Sequence, residues 1–112
     1  MIEVDIIKYL SSALGVSVTG EKPTSKPKEY VVIEKIDGGR VDYIDAITIS
    51  IMSYADTLLN AAKLDEKVQK AMFDIVGLEN ISSCRLGGAS QSIDKQTKEY
   101  AYESIFNLIY YM

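Results

Sequence analysis

The chain has 112 residues, 47% of them hydrophobic and 25% charged, with a formal net charge of −4. These are the proportions of an ordinary soluble globular protein, and the length suits one domain. The acidic balance argues against broad binding to a nucleic-acid backbone, which needs a concentrated basic face. No stretch approaches the ~20 apolar residues of a bilayer-spanning helix.

The start, MIEVDIIKYL, has neither the basic region nor the long apolar run of a signal peptide. Cys84 is the single cysteine, so no internal disulfide can form, which agrees with a reducing cytoplasmic compartment.

Ile2, Ile6, Ile7, Leu10, Ala13 and Leu14 recur at helical spacing and predict a helix over 2–14, closed by Gly15. Val16 and Val18 suit a short strand. Thr19 to Lys28 contains both prolines and almost nothing apolar, and reads as an exposed loop. Lys22, Lys26, Lys28 and Lys35 lie within fourteen residues of one another, either as a solubilising loop or as a contact for phosphate or an acidic partner.

Tyr30 to Ile36 is β-rich, Asp37-Gly38-Gly39 carries a hairpin turn signal, and the return strand is expected from about Arg40 to Met52. Alternation places Val41, Tyr43, Ile47, Ile49 and Ile51 on one face, interrupted by Asp45, and Asp42, Thr48 and Ser50 on the other. One buried and one polar face suit antiparallel pairing.

The strand runs almost without a joint into a helix. Asp56 or Thr57 can cap it, and Leu58, Ala61, Ala62, Leu64, Val68, Ala71, Met72 and Ile75 form its apolar stripe, with Gly77 as the end. Lys63, Asp65, Glu66, Lys67 and Lys70 are expected on the outer face. Ile81 to Leu86 suits a strand, and Leu86 to Lys98 a polar loop or an extended hairpin tip. The final EYAYESIFNLIYYM fits both periodicities, and its aromatic and β-branched content favours a strand. The expected fold is therefore α+β, a mainly antiparallel sheet of four to five strands against two helices, in the order α-(β)-β-β-α-β-β.

There is no histidine, which removes the commonest general base and every Ser/His or Cys/His pair. One cysteine effectively excludes a structural zinc site, and Cys84 reads as a small buried or half-buried strand residue. Asp37, Asp42 and Asp45 follow no known cation-loop spacing. Neither glycine pair, Gly38-Gly39 or Gly87-Gly88, belongs to a phosphate-binding motif. The expectation is a non-enzyme without metal or cofactor. Eight tyrosines against two phenylalanines and no tryptophan suit surfaces that are half core and half contact.

The run ITISIMSYADT passing into LLNAAKLDEKVQKAM, through Ile47, Ile49, Ile51, Tyr54, Asp56, Ala61, Ala62, Leu64 and Val68, resembles the tail-terminator or tail-completion proteins of long-tailed bacteriophages. The likeness extends more loosely over most of the chain. It implies a structural subunit of the virion tail or neck, assembled in the host cytoplasm as a ring, expected to be a hexamer. The ring would stop tail-tube polymerisation and join the major tail-tube protein to the head connector. DNA would pass the bore without sequence-specific binding, and no membrane is involved.

Sheet edges can be continued by a neighbouring subunit, and heterologous contacts can close into a ring. Candidate contact residues are Lys22, Lys26, Lys28, Gln91 and Lys95 in the loops, with Tyr100, Tyr102, Tyr110 and Tyr111 on the last strand. The alternatives are another neck or connector component, or a small monomeric or dimeric protein-binding regulator.

Overall fold

A computed structural model describes residues 2–21, 28–41, 44–77, 81–94 and 99–111. The expected contacts Lys22, Lys26 and Lys95, together with Asp42 and Tyr43, lie outside the described residues, as do the side chains of Asp37, Asp45 and Tyr111. The elements are α1 (Ile2–Leu14), β1 (Ser17–Thr19), β2 (Tyr30–Val41), β3 (Ile44–Ala55), α2 (Leu58–Phe73), a short 3-10 turn (Ile75–Gly77), β4 (Ile81–Asp94) and β5 (Glu99–Tyr111). Two helices against a five-stranded, mostly antiparallel sheet make the α+β class, in the order read from the sequence.

The sheet order is β1-β2-β3-β5-β4, with only β1 parallel to its neighbour. The last strand therefore enters the interior of the sheet. It pairs with β3 over Tyr100–Tyr111 and with β4 over Glu99–Tyr110. The register with β3 runs without a shift, whereas β2 shifts between Lys35 and Asp37, and β4 at Ser82 and at Gly87.

Both helices lie on one face of this sheet. α2 packs on β3, β5 and β4, while α1 packs on α2, β1 and β2. Alternate residues supply the core beneath them: Val31 and Ile33 from β2, Ile47, Ile49 and Ile51 from β3, Phe106 and Leu108 from β5, with Ile6 and Leu10 from α1 and Leu64, Val68 and Met72 from α2. Burying each of these large side chains stabilises by roughly 1.5–3 kcal/mol before chain entropy is counted.

α1 closes at Gly15, whose φ of 69° lies in the left-handed region and whose N–H bonds the Ser11 carbonyl at 3.1 Å. Only glycine takes that conformation without a steric penalty.

Three local expectations are corrected. The Asp37-Gly38-Gly39 signal does not turn the chain: Gly38 pairs with Ile47 and Gly39 with Ala46 inside the hairpin. A turn there would slide Ile33 away from Ile51; the longer strand keeps both on the core face, and a bulge at Ile36 takes up the extra residue. β3 accordingly starts at Ile44 and reaches Ala55.

α2 ends at Phe73 rather than Gly77. The Asp74 N–H reaches the carbonyls of Ala71 and Met72, and the tighter 3-10 turn that follows carries Ile75 into the core. Finally, Asp65 is not on the outer face of α2; it is 4% exposed.

Candidate interaction surfaces

The joint between β3 and α2 is built from four residues. Ala55, the last of the strand, is buried. Thr57 has extended dihedrals (φ −136°, ψ 158°), and its Oγ1 accepts a bond from the Asn60 N–H at 3.1 Å while its carbonyl accepts one from the Ala61 N–H at 3.0 Å. Of the two capping candidates, Thr57 is the N-cap. Asp56 plays a different part: its Oδ1 accepts from Asn60 Nδ2 at 3.0 Å, and its carboxylate pairs with exposed Lys28 at 3.6 Å. The Asn60 hydrogen bond, aided by Lys28, holds the Asp56 carboxyl below the ordinary aspartate value.

Beneath α2 lies a polar cluster. Ser104 Oγ on β5 donates to Asp65 Oδ1, and Gln69 Nε2 donates to Asp65 Oδ2 at 2.8 Å and to Ser104 Oγ at 3.3 Å. Asp65 and Gln69 are one turn apart, so both reach the same point on the sheet. The buried Ser53 hydroxyl stands on the same face of β3 and has no hydrogen-bond partner among the described residues. The strands' alternation places Ser53 and Ser104 under the helix; what the sequence did not show is that an acid in a helix of lysines and glutamates turns inward to meet them.

Neither Asp65 nor Cys84 is placed for chemistry. The Asp65 carboxyl is enclosed by the groups it bonds, and burial pushes the Cys84 thiol up to about 11, away from the thiolate a nucleophile needs. Among the described residues, no group of three acids and cysteines is arranged to hold a metal ion.

The surface grooves are shallow and of mixed charge. One, of about 450 Å³, runs along α2 past Lys63, Lys67 and Lys70 but also Glu29 and Glu66. The next, of about 400 Å³, lies between α1 and α2 and shares Lys67 and Lys70, opposite Tyr9 and Asp74. Tyr9 ties the two helices together through a 2.7 Å bond from its hydroxyl to the Ala71 carbonyl. Burial, with Asp74 and Cys84 nearby, raises the Tyr9 phenol above its ordinary value.

The candidate contact residues separate into groups. Lys28 stands at the α2 end of the sheet with Asp56. Gln91 and Tyr102 are cross-strand partners near that end, the Tyr102 hydroxyl donating to Gln91 Oε1 at 3.4 Å, and half-buried Tyr100 lies beside Ala55. Tyr110 is at the opposite end, partly buried against the core. The structure thus brings Gln91 and Tyr102 together and keeps Tyr110 apart. Compared with known families and curated proteins, the sequence matches no family model and no curated protein.

Two further surfaces complete the picture, the first being the polar face that the alternation of β3 predicts. On the sheet face away from the helices, Tyr30 stacks on Tyr54 with centroids 4.7 Å apart, and the polar groups pair across strands: Ser50 Oγ donates to Glu103 at 2.6 Å and Thr48 Oγ1 to Asn107 at 2.7 Å. The other surface is the outer edge of β4, beside which Leu86 and Phe73 remain 39% and 51% exposed. No helix of the described residues is long and apolar enough to cross a membrane.

Proposed function

We propose that the chain is a non-enzymatic assembly subunit of a phage virion, a tail terminator that caps the head-proximal end of the tail tube. The observation that carries this reading is the corner from β3 into α2. Six of the residues on which the likeness rests act there together: Ile47, Ile49 and Ile51 share a core with Leu64 and Val68, and buried Ala61 brings the helix close to the sheet, while Thr57, outside that set, fixes the joint. A rigid corner of this kind holds the surrounding surfaces in a constant relation, which a ring subunit requires. The element order is the one read from the sequence.

In this reading the subunits form a ring, expected to be a hexamer, between the major tail-tube protein and the head connector, with DNA passing its bore. The test is to add the purified chain to polymerising tail tubes and follow their length by electron microscopy. Tubes capped at one end and halted in growth are the expected result. A chain that never binds tube ends, and is absent from purified virions by mass spectrometry, overturns the proposal.

A second reading, a small protein-binding regulator, draws on the groove along α2 with its three lysines. It predicts capture of a non-virion partner that is lost when Lys63, Lys67 and Lys70 are changed together to Glu.

A further inference from the structure

The two edges of the sheet are not equivalent. On one side β1 already occupies the outer edge of β2 at Tyr30, Val31 and Val32. On the other, no described strand lies beyond β4 along its fourteen residues. This difference bears on how a second copy can add to the sheet at the same level.

In a head-to-tail arrangement, β4 of one copy would lie against the outer edge of β2 of the next. At the level of Val32, Met52 and Glu103 the β4 residue is Ser90, and at the level of Tyr30, Tyr54 and Ala101 it is Ser92. Level addition would therefore drive Ser90 to Ser92 into the space of β1. An antiparallel pairing of β4 with β4 of a second copy, about a two-fold axis normal to the sheet, meets no such obstacle and keeps both helix layers on one side.

The side chains select the register. Leu86 is the cross-strand partner of Phe106 on the helix face, and Phe73 meets the Phe106 ring edge-on at 6.3 Å, so the two exposed apolar side chains flank the same buried ring. An axis at Leu86 sets Leu86 opposite its own copy, with the two Phe73 rings beside the pair, and places Arg85 opposite Gly87. Moving the axis one residue to Arg85 would instead oppose two like charges.

With the axis at Leu86, Ile81 to Gln91 of the two copies face each other along an edge of roughly 37 Å, with regular pairing interrupted at Ser82 and Gly87. Taken about 15 Å deep, through the sheet and the flank of its helix layer, it offers on the order of 550 Å² per copy, near the ~600 Å² at the lower bound for a specific pair.

We infer that the free chain forms a two-fold dimer through the edge of β4, centred on Leu86, with affinity in the micromolar range. The inference does not rest on the tail reading. An isologous contact by itself stops at two copies, so this one is assigned to the free chain and not to a head-to-tail ring.

The test combines sedimentation with cross-linking of the full chain. At about 100 μM the unmodified chain should sediment as a dimer, and Leu86→Asp should leave a monomer with an unchanged far-ultraviolet spectrum. In a Cys84→Ser background, Leu86→Cys should give a covalent dimer under mild oxidation, because directly opposed residues in an antiparallel pair fall within disulfide reach. Ser83→Cys in the same background, which faces Ala89 of the second copy, should not. A monomer at that concentration, a dimer indifferent to Leu86→Asp, or equal cross-linking at 83 and 86 overturns the inference. A hexamer overturns it too while leaving the tail reading intact, and failure to cap tail tubes leaves the dimer untouched.

Discussion

Asp65 accepts two hydrogen bonds, one from Ser104 on the sheet and one from its own helix neighbour Gln69. Removing one partner strands the others in the interior, and a buried group left unsatisfied costs about 1–3 kcal/mol. Asp65→Ala is therefore expected to cost about 3 kcal/mol and Ser104→Ala about 1–2 kcal/mol. The double mutant should be less destabilised than the sum, measured by urea denaturation as a double-mutant cycle; strict additivity would show that the two groups do not act together.

A second consequence at this scale concerns alkaline pH. The Cys84 thiol, ordinarily near 9, is pushed up to about 11, and the Tyr9 phenol is raised as well. The unfolded chain then loses its thiol proton first, so it binds fewer protons than the folded one and stability must fall as pH rises from 9 to 11. Below pH 9 this contribution is fully present. Cys84→Ser should flatten part of that decline in melting temperature; an unchanged slope would assign the loss elsewhere.

The inward turn of Asp65 shows where sequence reading stops at this scale. A charged residue at that helix position normally faces water, and its reversal depends on Ser104, which is 39 residues away in the chain.

At the scale of elements, α2 depends on its first turn. Thr57 satisfies the Asn60 N–H, one of the donors that every helix leaves open at its start. Thr57→Ala should cost about 1 kcal/mol, read from the denaturation midpoint, whereas Asp56→Ala, which removes only an exposed pair and a side-chain bond, should cost less. Equal losses would mean that Asp56 shares the cap.

Most elements were readable because their signals are local. The α1 stripe, the Ile47–Ile51 alternation and the α2 stripe each repeat over several residues. The long hairpin was not, since Asp37-Gly38-Gly39 has the composition of a turn, and only the register of Ile33 against Ile51 outweighs it. Gly87 belongs to the same class. A Cβ there would come within 2.8 Å of the Asn107 side chain, a contact that exists only once β4 lies beside β5. The contact surfaces were the least legible, because an edge becomes an edge only when the strand order is known.

Across the described residues, regular pairing is concentrated between β3 and β5, and all three register shifts fall in the strands that flank them, β2 and β4. Bulges bend and twist a strand and interrupt its ladder. Native-state hydrogen exchange should accordingly be slowest at Ile49, Ile51, Phe106 and Leu108, approaching the global unfolding free energy, and much faster along β4. Dimerisation should slow exchange between Ile81 and Gln91 in a concentration-dependent way, so that dilution restores the fast rates. Uniform protection across the five strands would argue against this hierarchy.

The interior place of β5 has a consequence for how the protein is made. When β3, α2 and β4 have left the ribosome, the strand that joins β3 to β4 is still inside it, and Ile49 and Ile51 have no neighbour on that side. The nascent chain must therefore hold an open apolar seam until β5 emerges, a period in which it is exposed to chaperones and to aggregation. Insertion of β5 then closes two long ladders in one event, so productive folding waits until β5 has left the ribosome.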